Sequence, residues 1–390
     1  SIPRFFPDCE VVTIPVADGG EGTVACFLEA LHATPVTVET SGPYGEPIQA
    51  TYARSGRCAI VEMACAAGLP LVGSRLNPEE TTTYGVGTLI RHAIEGGCTE
   101  ILLGLGGSAT NDGGCGCAAA LGVRFYDRDD QPFLPVGKSL GRIRRIDTTQ
   151  AGLLLDGVKI TVMCDVDNPL CGPSGAAHVF APQKGADPQM VARLDEGLGS
   201  LASVIHRQLG ADILHLPGAG AAGGMGGGCV AFLRAALKPG IEAILDLVEF
   251  DSHLNGADLV ITGEGRIDSQ SFRGKVISGI TRRTRAKGIP VIIMEPLRGG
   301  KLVGLLPKKA KEVFAASGRG WTPAQWGLRW LWDQKEVTVV LSGMNSREMV
   351  LENIRTASET AEGSFGPAEQ AVIAKAVAAI NAKVKVGCTG

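Results

Sequence analysis

Along the first 275 residues, acidic and amide side chains repeatedly fall beside glycines just after short apolar runs. Asp18 lies near Glu21, Asn111 beside Asp112, Asp165 near Asp167, and Glu264 near Asp268; Lys184 and Lys275 bring cations to similar settings. Any one of these turns is accounted for by capping, since Asp, Asn, Ser and Thr hydrogen-bond nearby backbone. Taken together they hold the parts of a phosphoryl-transfer site. Such a site needs N–H donors for phosphate oxygens, carboxylates for Mg²⁺ and a carboxylate to orient the attacking hydroxyl. A lysine there acts as a point charge on the phosphates.

The stretch Gly104 to Gly114 is the centre of the pattern, with five glycines and four polar side chains in eleven residues. It follows Glu100 to Leu103, which reads as a buried strand, and precedes Cys117 to Leu121, which has helical composition. A strand opening through glycines into a helix leaves backbone N–H groups pointing outward, where they favour an anion. Gly106, Gly107, Ser108, Thr110, Asn111 and Asp112 are therefore candidate phosphate or substrate contacts.

Other elements place the remaining candidates. Val11 to Val16 reads as a strand leading to Asp18 and a helix from Val24 to Leu31. Short alternating strands follow, including Pro35 to Glu39 and Ile48 to Tyr52, and Asn77 to Gly87 caps a helix reaching about Glu95. Lys159 to Cys164 is a strand that delivers Asp165 and Asp167 at its carboxyl end, where ligands bind in open α/β sheets. A helix runs from about Pro188 to Gln208. Gly218 to Gly228 is the most glycine-dense segment, and Gly220 and Gly223 are candidate phosphate contacts within it. Ala257 to Ile261 is a last strand before Glu264 and Asp268, with a helix beginning near Lys275.

Several chemistries are excluded. A P-loop is absent, because Gly137-Lys138-Ser139 has Pro132 where the first glycine belongs. Gly218 to Gly223 matches G-x-G-x-x-G, but Leu214 to Leu216 is a poor preceding strand, which argues against a dinucleotide site. The six histidines are scattered, and Ser108 is not in a G-x-S-x-G elbow. A net charge of −3 leaves no basic stripe for nucleic acid, and no apolar stretch approaches the roughly 20 residues of a membrane helix. Most of the eleven cysteines sit in apolar runs as small hydrophobes, and Cys115 and Cys117 have no second pair at zinc spacing. A reducing cytoplasm is the expected setting. Nothing in the sequence bears on oligomeric state.

At 390 residues the chain can hold two or three domains. All four tryptophans lie beyond residue 320, all four tyrosines before residue 127, and ten of the eleven cysteines before residue 230. Such segregation predicts a junction near Ile289 to Glu295.

The motif blocks resemble the bacterial glycerate kinase family. They are Val16 to Thr23, Glu62-Met63-Ala64, Thr82 to Gly87, Gly106 to Gly114, Asp165 to Leu170, Pro182 to Ala186, Gly218 to Gly224 and Thr262 to Asp268, in order over about residues 5–290. The resemblance implies a two-domain α/β fold, one domain inserted into a doubly wound one, with the site in a cleft. It implies ATP-dependent phosphorylation of D-glycerate with Mg²⁺, the 2-hydroxyl favoured. On it, Asp165, Asp167 and Glu264 are Mg²⁺ ligands or the hydroxyl-orienting base, with Asp165 and Glu264 taken as the metal pair. Lys184 and Lys275 offset phosphate charge, Gly106 to Asn111, Gly220 and Gly223 cradle phosphate or carboxylate, and Asp18, Asp112 and Asp268 line the cleft. The family's opening Asp-Ser-Phe-Lys-Gly loop does not precede Phe5, so an N-terminal truncation is expected.

Residues 291–390 are instead similar to the end of an aldo-keto reductase. Pro290 to Leu302 resembles the seventh barrel strand and its loop, Val337 to Met344 the eighth strand, and Ser346 to Asn353 the cofactor-phosphate loop. The tail is thus expected to be a partial (β/α)8 barrel, its tryptophan row a packing face left exposed. An inactive fusion and an NADPH-dependent reductase are the alternative readings, the second opposed by the absence of any tyrosine acid after Tyr126.

Overall fold

Three five-residue runs ending in Glu62, Gly104 and Met163 form the middle of a six-stranded sheet. The structure, a computed structural model, describes residues 7–14, 24, 28, 33–263, 275–294, 301–335, 337–344 and 346–381. The chain divides into two compact units, the first ending at Ile244 and the second beginning at Leu245.

In the first unit β1 (Thr34–Ser41) and β2 (Pro47–Ser55) form an antiparallel hairpin, and β2 pairs antiparallel with β3 (Cys58–Glu62). After β3 the chain forms α1 (Tyr84–Glu95), β4 (Glu100–Gly104) and α2 (Cys115–Ala120). A small antiparallel sheet of β5 (Arg124–Tyr126), β6 (Pro132–Phe133) and β7 (Arg145–Asp147) comes next. Then follow β8 (Lys159–Met163), α3 (Pro188–Leu209), α4 (Ala221–Leu233) and β9 (Ala236–Lys238). The main sheet runs β1-β2-β3-β4-β8-β9, parallel from β3 onward. The α/β expectation holds, but the sheet is mixed rather than wholly parallel. β3 is buried along its whole length, as a strand covered on both faces must be. The core runs through Val61, Leu89, Leu103, Val162, Leu198 and Met225.

Two local readings need correction. Val11 to Ile14 form no strand, and Val11 and Val12 are exposed. β-branched composition alone does not make a strand where no partner ladder is present. Gly218 to Gly228, read only as a glycine-dense segment of phosphate contacts, leads into α4 through a break: Ala222, Gly223 and Gly224 are left-handed (φ +53°, +68° and +90°), so regular helix continues only after Gly224.

The second unit holds a parallel sheet of β10 (Val260–Gly263), β11 (Val291–Met294) and β12 (Val339–Leu341), with α5 (Lys275–Ala286) between β10 and β11 in the chain. The compositional seam near Ile289 to Glu295 therefore falls on β11, the middle strand of this sheet. Helices α6 (Lys308–Ala315), α7 (Pro323–Asp333) and α8 (Pro367–Asn381) enclose the aromatic residues. Thr322 and Gln325 close a reciprocal capping box at the start of α7. Trp326 is buried between Phe314 and Phe365, with Trp321 at 4.8 Å, and the other three tryptophans are half-buried, so the row is not an exposed face.

Candidate active site

The carboxyl ends of β3 and β4 continue as two paired loops. Met63 N–H donates to the Gly104 carbonyl (3.0 Å), Leu69 N–H to that of Gly107 (2.9 Å), and Ala109 N–H to that of Ala67 (2.8 Å). Gly107 sits at φ +80°, a left-handed turn that a side chain would strain.

A threonine strap holds the far side of the loop. Thr81 Oγ1 donates to the Ala109 carbonyl (2.9 Å). Thr83 Oγ1 donates to Asp112 Oδ2 (2.8 Å) and accepts from the Cys117 N–H (2.8 Å). Asp112 Oδ2 also accepts from the N–H groups of Thr83 (2.8 Å) and Gly116 (3.1 Å), and Oδ1 from Gly114 (3.0 Å). Burial pushes the Asp112 carboxyl above its ordinary range, against the pull of these donors. Asp112 thus faces its own loop and the start of α2, and organises them.

Ser108, Thr110 and Asn111 are fully buried, and Lys184 reaches them from the turn Pro182–Lys184. Its Nζ donates to Ser108 Oγ (2.7 Å) and to the Thr110 carbonyl (2.8 Å). These residues and their chain neighbours carry under-satisfied polar groups. Thr110 Oγ1, Asn111 Nδ2, Asn111 Oδ1 and Gln183 Nε2 are buried with no hydrogen-bond partner among the described residues. They are four of the seven such atoms there, and buried polar groups are ordinarily paired.

Gly220 and Gly223 serve a different end. A Cβ on Gly220 would overlap the Pro169 carbonyl, and one on Gly223 would overlap the Thr110 carbonyl and stand 2.6 Å from Asn111 Cα. The Gly223 carbonyl accepts from Gly113 N–H (3.1 Å), and the Gly220 N–H is taken by the Asn168 carbonyl (3.0 Å). Gly223 thus lets backbone press against the 104–114 loop, while Gly220 packs on the segment after β8.

At the end of β8, beside β4, Asp165 is half-buried and its Oδ1 accepts from Gly240 N–H (3.0 Å), while Asp167 is exposed. Asp18, Glu264 and Asp268 lie outside the described residues, and Lys275 is the first residue of α5 in the second unit. The structure thus brings Ser108, Thr110, Asn111, Lys184 and Gly223 together, with Gly220 set against the segment after β8. Glu62, Thr83 and Gln183 were not singled out from the sequence. Glu62, a buried carboxylate whose Oε1 accepts from Val24 N–H (2.6 Å), could have been flagged as the acid closing an otherwise apolar run. Burial raises the thiols of Cys115 and Cys117, and that of Cys229 to about 12, so these are no nucleophiles.

A buried lysine, a glycine loop and unsatisfied amides beside the carboxyl ends of parallel strands define an α/β enzyme that handles a small polar ligand. A glycerate kinase family model matches residues 1–315. A glycerate kinase from Bacillus cereus is 48% identical over 291 residues, covering 74% of this chain and 76% of that protein. The glycerate 2-kinase of Escherichia coli K12 is 45% identical over 292 residues, 74% of this chain and 77% of its own length. A crystal structure of a glycerate kinase 2 from Salmonella typhimurium LT2 superposes with TM-score 0.75 at 37% identity, covering 99% of this chain and 92% of that one. The chain belongs to the glycerate kinase family and is an enzyme of that class. Among the described residues no helix is long and apolar enough to cross a membrane.

Proposed function

We propose that this enzyme transfers the γ-phosphoryl group of ATP to a hydroxyl of D-glycerate, the 2-hydroxyl favoured, in the cytoplasm. The unsatisfied amide and hydroxyl groups of Thr110, Asn111 and Gln183, with the Lys184 ammonium bonded to the Thr110 carbonyl, carry this reading. Their chemistry suits an anionic, hydroxylated ligand, and family membership supplies the reaction. Among the described residues no three His, Cys, Asp or Glu side chains cluster as a metal site. Mg²⁺ nevertheless fits the donor chemistry, since it commonly takes one or two carboxylates and keeps its waters. Asp165 would offer it a carboxylate, and when bound it neutralises charge on the transferring phosphoryl. Asp167 orients the attacking hydroxyl and takes its proton, Lys184 and Lys275 offset phosphate charge, and Asp18 and Asp268 contact substrate. Asp112 supports the loop that carries Asn111.

A coupled assay of ADP release with and without D-glycerate tests the reaction, and ³¹P NMR of the product tests its site. A 2-phosphate couples to one proton and a 3-phosphate to two. Release of ADP that does not depend on D-glycerate would overturn the reading. Asp167→Asn is expected to lower kcat by about 10²–10⁴-fold, the usual worth of a general base, with unchanged circular dichroism.

We also propose that residues 291–390 are aldo-keto reductase-like in origin. The parallel pairing of β11 with β12, Ile292 opposite Val339, with helices between them in the chain, supports this. Reductase chemistry forms no part of the proposal, because no tyrosine follows Tyr126 to serve as its acid.

A further inference from the structure

We infer, on the glycerate kinase reading above, that Asn111 reads the α-hydroxy carboxylate end of the acceptor and not the phosphate chain of the nucleotide. An asparagine offers two N–H donors and a carbonyl acceptor on one carbon. Both its Nδ2 and Oδ1 are buried, and neither has a partner among the described residues. A phosphate chain near neutral pH presents acceptors almost alone. It would answer Nδ2 and leave Oδ1 against negative charge. An α-hydroxy carboxylate answers both, with a carboxylate oxygen for Nδ2 and the neighbouring hydroxyl proton for Oδ1.

The surroundings favour the same ligand. Thr110 Oγ1, also buried without a partner among the described residues, is available to the second carboxylate oxygen. Lys184 Nζ lies 2.8 Å from the Thr110 carbonyl and brings positive charge to the residue next to Asn111. Asp112, the other neighbour, is itself tied down through four hydrogen bonds, so the backbone that carries the amide is held before substrate arrives. An adenine edge also pairs a donor with an acceptor. Being neutral, it gains little from the ammonium.

Calorimetric binding to the full chain, which needs no turnover, tests the assignment with D-lactate, 3-hydroxypropionate, glycerol and ADP. D-Lactate keeps the hydroxyl beside the carboxylate, 3-hydroxypropionate lacks the 2-hydroxyl, and glycerol lacks the carboxylate. The intact chain is expected to bind D-lactate about 10–100-fold more tightly than either of the other two, as the loss of a hydrogen bond to a buried partner predicts. Asn111→Ala should erase that preference while moving the ADP Kd less than about threefold, since no phosphate contact is lost. Asn111→Asp, of equal size, should weaken D-lactate further by charge repulsion. It serves as the second variant if thermal unfolding finds the alanine form unfolded. Equal binding of D-lactate and 3-hydroxypropionate by the intact chain would overturn the assignment, and so would weakened ADP binding in Asn111→Ala with D-lactate unaffected. Failure of the kinase reading looks different: no glycerate-dependent turnover, with Asn111-dependent D-lactate binding intact.

Discussion

Two glycine-rich stretches of the first unit, 104–114 and 218–228, look alike as sequence and do opposite work. The first is buried apart from the part-exposed Gly106 and Gly107, and it carries side-chain atoms with unmet hydrogen bonds next to the residues a buried ammonium holds. The second carries no polar side chain at all. Its glycines at 223 and 228 are there because the carbonyls of Thr110 and Gly113 occupy the space a Cβ would need. Glycine density marks close packing of protein on protein in both, Gly113 against Leu201 in the first and Gly223 against Thr110 in the second. Unsatisfied polar atoms, not glycines, separate the loop proposed to bind from the segment that packs on it.

The contrast breaks most visibly at Gly223. Gly223→Ala combines a positive φ of +68° with overlap onto Thr110 and Asn111. It is expected to cost about 4 kcal/mol or more, the range reserved for strain and core overpacking. Gly152, in a short helix with open space at its Cβ position, is the control. There alanine should stabilise by about 0.4–1 kcal/mol. Urea unfolding of the full chain measures both, and a tolerated Gly223→Ala would remove the packing explanation. A smaller effect is expected at Thr83. Thr83→Val keeps the shape but removes a donor to Asp112 and an acceptor from Cys117 N–H. A loss of about 1–3 kcal/mol follows from leaving those buried groups unpaired, and Thr83→Ser should recover most of it.

The parts of the fold that could be read in advance were those with local causes. The strand at Glu100, the strand at Lys159 and the helix from Pro188 appear within a residue or two of their expected ends. Asp187 caps that helix by accepting from Met190 N–H (2.8 Å), and Gly210 closes it. The loop candidates Ser108, Thr110 and Asn111 were legible because strand, glycines and helix adjoin in the chain. Lys184 was visible as a cation but not as the partner of Ser108, which lies 76 positions away. The roles of Gly220 and Gly223 were hidden for a related reason: a glycine tells that something comes close, never what. The tryptophans misled because an apolar helix face reads the same whether its cover is present or missing, and Phe314 and Phe365 supply that cover.

The smallest expected effect sharpens the comparison through pH. Burial raises the folded-state pKa of Asp112 above its ordinary 3.8. Between 3.8 and the raised value the folded chain keeps a proton that the unfolded chain has released, so folding stability falls as pH rises there. The contribution is fully present below 3.8 and is lost as pH climbs through the folded value. The whole-protein profile hides this, because Asp127, Asp147 and Glu369 have lowered values and lose their contribution in acid. The difference between the intact chain and Asp112→Asn isolates it, since asparagine does not titrate. That difference, measured by urea unfolding at successive pH values, should shift in favour of the intact chain as pH is lowered through the window. The matching substitution in the other stretch is Met225→Leu, a buried position within a segment that holds no titratable group. Its difference from the intact chain should stay level with pH. A level line at Asp112 as well would mean that its four donors fully offset burial, leaving the carboxylate charged at the heart of the loop.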